Sequence, residues 1–132
     1  MKKKLTFAIF LIIIFTNIVS KVHSIEADVF IQSTVNRAAK TLGGNLSKEE
    51  RIEKLKDIAR DTVDINGIGF YSLGAHRKNL TEKQIIEYKK VFAKYFLKSF
   101  SSRLAEYSNP EIEVNSKKVI NKNYTIVSST LV

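Results

Sequence analysis

Few side chains in this sequence are of types that do chemistry, and their spacing argues against catalysis. Asp61 and Asp64 come nearest to a carboxylate pair, the arrangement that general acid–base work requires. Helix-end polarity explains both aspartates equally well, and the other carboxylates fall mainly at helix starts and in solvent positions. The two histidines, His23 and His76, are too few for a multi-histidine metal site. Absence of cysteine removes disulfide scaffolds, zinc ribbons, thiol catalysis and a lipid-bearing N-terminal cysteine. No G-x-S-x-G, P-loop, G-x-G-x-x-G or H-E-x-x-H occurs. The expectation is a protein that is not an enzyme and carries no cofactor or metal.

What the sequence offers instead is an apolar, aromatic-rich helix face. Thr81 and Gln84 form a capping box that starts a helix over about residues 82–107, roughly 39 Å long. At helical spacing Ile85, Tyr88, Phe92, Tyr95, Phe96 and Ser99 project to one side, and Lys83, Lys90, Lys94 and Lys98 to the other. The first set packs against a sheet or lines a cavity for an apolar ligand. The lysine stripe is a solvated face, with Glu87 placed for surface ion pairs to Lys83 and Lys90, or an attraction to a membrane surface.

Three shorter helices precede it. Asp28 is placed to cap the first, which runs to about Leu42 and ends at Gly43-Gly44-Asn45, residues that accept left-handed backbone angles. Ser47 and Glu50 make a second capping box, ahead of Ile52, Leu55, Ile58 and Ala59 on one face. Asp64 caps a short helix with apolar Ile65, Ile68, Phe70 and Leu73, stopped by Gly74. After Asn109-Pro110 the period changes to two, predicting strands over residues 111–120 and 124–132 around the turn Asn121-Lys122-Asn123. The fold class is α+β: four helices, the last one long, then a β-hairpin. A hairpin alone is marginal and leaves open edges, so it reads as part of an incomplete antiparallel sheet. Either another molecule completes the sheet or the C-terminal part has been lost, and loss is the favoured reading.

The N-terminus reads as a targeting segment. Residues 1–24 carry a Lys2-Lys3-Lys4 basic start, an apolar run over residues 7–15, and Val22 and Ser24 at the −3 and −1 positions of a cleavage site. The run is shorter than the ~20 residues of a bilayer span, so a cleaved signal peptide is expected in preference to a membrane anchor. The full chain has a net charge of +9. Cleavage removes four of 22 basic residues and no acid, leaving 18 against 13 acidic residues, a charge of +5. Export and the lower charge both argue against a nucleic-acid partner.

Residues 61–108, DTVDINGIGFYSLGAHRKNLTEKQIIEYKKVFAKYFLKSFSSRLAEYS, resemble the MlaC, or toluene-tolerance, family. The features that carry the likeness are the aspartate-started short helix ending in Leu73-Gly74 and the Thr81-x-x-Gln84 helix start. Aromatics at Tyr88, Phe92, Phe96 and Phe100 follow, then Arg103-Leu104 and Tyr107. The upstream helices and the signal segment come in the expected order. The resemblance implies a periplasmic glycerophospholipid carrier between an outer-membrane lipoprotein complex and an inner-membrane ABC transporter, maintaining outer-membrane lipid asymmetry. It implies an MlaC-like fold with helices on a curved antiparallel sheet and acyl chains in the gap between them. Ile65, Ile68, Leu73, Phe92, Phe96 and Phe100 would then lie near that gap.

This chain departs from the family pattern in two places. It has no tryptophan near Ala75-His76-Arg77, and it is expected to lack the further strands and C-terminal segment that, on the resemblance, close the pocket. Residues 25–132 are thus expected to be a partial lipid-binding domain. The alternatives are a truncated or split-gene remnant without independent lipid binding, a small exported enzyme on a related scaffold, and a membrane-anchored interaction protein.

Overall fold

The structure, a computed structural model, describes residues 25–132; the expected signal segment lies outside the described residues. Helices α1 (Ala27–Leu42), α2 (Lys48–Thr62) and α3 (Ile65–Ser72) are followed by a 3₁₀ helix (Gly74–Asn79). The long helix α4 (Glu82–Leu104) then leads to strands β1 (Ile112–Asn121) and β2 (Tyr124–Leu131), paired antiparallel. The class is α+β, as the change of period implies.

Local capping chemistry sets several of the helix starts. The Ser47 hydroxyl accepts from the Glu50 N–H at 3.2 Å while the Glu50 carboxylate accepts from the Ser47 N–H at 2.9 Å, closing the capping box of α2. Thr81 and Gln84 repeat the exchange at α4. Asp64 accepts from the Gly67 N–H at 2.9 Å and starts α3. Gly74 ends that helix at φ +53°, where a Cβ would be strained.

Other boundaries differ from the sequence expectation. Glu26, not Asp28, is the N-cap of α1, and it makes no side-chain cap bond. Asp28 instead lies in the first turn and accepts from Lys117 Nζ at 3.0 Å. Gly43 keeps a right-handed φ of −84°, so no left-handed turn stops α1; its missing side chain leaves room for Asn109. Helix α4 stops at Leu104, because the Glu106 and Tyr107 N–H groups turn to Arg103 and Leu104 carbonyls three residues back. The left-handed residue after it is Asn109, φ 52°. The 3₁₀ helix has no counterpart in the sequence reading, where residues 75–79 carry no apolar period.

Helix α2 packs on both α1 and α4, α3 packs on α4, and α1 also packs on the hairpin. Leu42, Leu55, Ile58 and Ala105 form the core, with Ala38, Ile52 and Leu104 against it. Small residues Ser101 and Ala105, both buried and one turn apart, bring the end of α4 close to α2. The Ser101 hydroxyl donates to the Leu97 carbonyl, so its burial leaves no unpaired polar atom.

Two bulges bend β1. Asn115 and Ser116 oppose a single residue, Ser128, and Ile120 is an extra residue between the Val119–Thr125 and Asn121–Tyr124 pairs. The first bulge resets the alternation, so Lys117 falls on the same face as Ile112 and Val114. It thereby reaches α1, where it pairs with Glu26 and Asp28.

Hydrogen bonding from Lys117 holds the Asp28 carboxyl below the ordinary aspartate value, and the two acids, Glu26 first, raise Lys117. A lowered carboxyl contributes stability at neutral pH that is lost as acidification passes through its folded value. A raised lysine contributes below its ordinary value and loses that contribution as pH rises through the folded one. Lys117→Met is therefore expected to melt below the wild type at neutral pH and to show a flatter dependence of Tm on pH at both extremes. Circular-dichroism melts across a pH series measure this, and superimposable curves would show that the triad ties nothing down.

Candidate functional site

The residues expected at a lipid gap fall into two groups. Ile65 and Leu73 of the α3 segment are buried, whereas Ile68 is 43% exposed. On α4, Tyr88, Phe92, Phe96 and Phe100 recur every four residues as a row of near-parallel rings, with successive centroids 6.0, 6.1 and 5.5 Å apart. Gly69 lets α3 settle on this ladder, since a Cβ there would stand 2.8 Å from Phe92 Cδ1. The Ser72 and Tyr88 hydroxyls, 2.9 Å apart, fix the upper end of the contact. The Phe70 ring of α3 has two cations over it, Arg77 at 5.3 Å and Lys89 at 5.0 Å from its centroid. Tyr95 does not join the apolar side: it is 67% exposed.

Phe100, the last ring of the ladder, lines a cavity of about 170 Å³. Helix α1 contributes Val35 and Ala38, one turn apart, and α2 contributes Leu55, Ile58 and Ala59. Leu104 of α4, Ile112 of β1, Val63 just after α2, and the threonines Thr34 and Thr62 complete the wall. Of the six expected residues, Phe100 is the one in this lining; Ile65, Ile68, Leu73, Phe92 and Phe96 are outside it, with Phe92 set against Gly69 of α3. Val35, Leu55, Ile58, Ala59 and Ile112 were legible as periodic apolar positions. Nothing in their spacing distinguishes a side chain facing a cavity from one facing a neighbour.

The wall is chemically uniform. Its two hydroxyl-bearing residues donate to carbonyls of their own helices, Thr34 to Phe30 at 2.9 Å and Thr62 to Ile58 at 2.7 Å. Both hydroxyls are thereby satisfied by backbone. No titratable side chain lines the space. The space is partly open to the surface, and its apolar wall suits a short run of methylenes. A second cavity of about 220 Å³, with Leu42, Tyr107, Pro110 and Leu131 in its wall, lies beyond Leu104 and Ile112, which border both.

Helices and a hairpin around an apolar space are what a lipid-handling fold needs, and the sequence carries the matching pattern. A family model described as MlaC protein matches residues 32–132. The chain belongs to the MlaC family. The MlaC family is periplasmic and associated with phospholipid transport. No curated protein and no solved structure matches the chain. Every residue of the cavity wall lies within the MlaC match. Among the described residues, no helix is long and apolar enough to cross a membrane, and no three acidic, histidine or cysteine side chains gather as metal ligands.

Proposed function

We propose that this protein is a phospholipid-binding carrier that holds part of an acyl chain in the cavity between α1, α2, α4 and β1. The supporting observation is that wall: apolar side chains from four elements lining a partly open space of about 170 Å³, its hydroxyls turned to backbone. Each methylene taken out of water there contributes about 0.8 kcal/mol. The space holds a few methylenes, so a complete chain also uses the neighbouring cavity beyond Leu104 and Ile112.

In this reading the role is binding and not catalysis. Residues 1–24 direct export to the periplasm and are cleaved after Ser24. The carrier exchanges glycerophospholipid with an inner-membrane ABC transporter and an outer-membrane lipoprotein complex, which keeps the outer membrane asymmetric. Residues 25–132 belong to the lipid-binding domain.

Organic extraction of the folded, purified protein followed by mass spectrometry tests the binding. Glycerophospholipid in near-stoichiometric amount is expected. Folded protein that yields none would remove the carrier reading.

A further inference from the structure

Helix α4 has a third face that neither its packing partners nor the cavity uses. Lys83, Lys90, Lys94 and Lys98 fall within an arc of about 80° and span ~22 Å along the helix axis. All four are exposed. Among the described residues none of them makes an ion pair, although Lys48, Lys56 and Lys117 and both Arg37 and Arg60 have acidic partners. Glu87, the one acid within the arc, is also without an ion pair among the described residues, contrary to the expected link with Lys83 or Lys90. The face therefore keeps an excess of three positive charges.

Apolar side chains accompany these charges. Val91 is 56% exposed at the edge of the arc, and Ile86 and Tyr95 flank it at 66% and 67% exposure. No element packs over them. A protein partner with specific carboxylates is met best by arginine, whose planar fork pairs with two oxygens, yet every cation in this arc is lysine. Lysine is a flexible point charge that suits a fluid layer of anionic headgroups. Apolar and tyrosyl groups at the same level suit the headgroup boundary.

We propose that this face of α4 docks on an anionic phospholipid bilayer, with the four lysines among the headgroups and Ile86, Val91 and Tyr95 at their level. The docking needs no lipid in the cavity and stands apart from the carrier reading.

Cosedimentation with vesicles tests it. The full chain is expressed from its own start and used as the cell processes it, with phosphatidylcholine vesicles with or without phosphatidylglycerol. Binding to neutral vesicles measures any contribution of the apolar N-terminal run. Wild-type protein should bind the anionic vesicles more tightly, and added salt should weaken that binding. K83Q/K90Q/K94Q/K98Q should reduce affinity for anionic vesicles at least ~30-fold. K40Q/K54Q/K118Q/K122Q, which removes the same charge from other exposed sites, should reduce it far less. Far-UV circular dichroism establishes that both variants are folded. Equal losses in the two variants would reduce the effect to net charge and overturn the proposal. So would wild-type protein that ignores anionic vesicles, including one whose α4 face instead retains an acidic protein.

Discussion

Ala38→Leu is expected to strip copurifying phospholipid from the protein while leaving it folded. Ala38 borders the cavity and packs on the Leu42–Leu55–Ile58 core, so a larger side chain there occupies the space directly. Leucine adds three carbons, which displace about three methylenes of a bound chain. At about 0.8 kcal/mol each this weakens binding by roughly 2.4 kcal/mol, some fiftyfold. The same carbons fill a void in the empty protein, so its Tm should hold or rise. Lipid phosphorus per chain and a thermal melt read the two effects separately. Unchanged lipid content in a folded Ala38→Leu protein would place the acyl chain elsewhere.

Leu55→Ala makes the opposite change. Leu55 is 1% exposed, lines the cavity and sits at the centre of the core. Its truncation loses buried carbons and enlarges a void that the neighbouring helices cannot fully close. Such substitutions cost about 2–5 kcal/mol, and the preformed cavity beside Leu55 puts this one toward the upper part of that range. Urea denaturation measures the loss. Added phospholipid should restore part of it, since a ligand that binds only the folded state stabilises it by mass action. A loss below about 1 kcal/mol would show that Leu55 is not the centre of the core.

Much of this scaffold was legible because its signals are local. Ser47 with Glu50, Thr81 with Gln84, and Asp64 with Gly67 each close within three residues, and Gly74 ends α3 by its own backbone preference. Asp28 shows where local reading ends. It has the character of a cap, yet its partner Lys117 is 89 residues away and reaches it only because a bulge in β1 resets the strand's alternation. Bulges depend on pairing with β2 and leave little trace in one strand's sequence. The site was legible only in part for a related reason. The aromatic ladder announces itself by its four-residue spacing, but only its last ring reaches the cavity. Leu55 and Ile58 carry the same apolar period whether they meet a neighbour or a void.

Leu104 and Ile112 line both apolar spaces, so these two residues form the partition between them. Moving such a partition takes a rotamer change, of order 1 kcal/mol, and leaves the helix and ladder hydrogen bonds intact. The interior then has two discrete capacities, one chamber or both, within a scaffold of constant outer shape. Accommodation of guests of different length would proceed in steps, set by two hinged residues at the junction of α4 and β1.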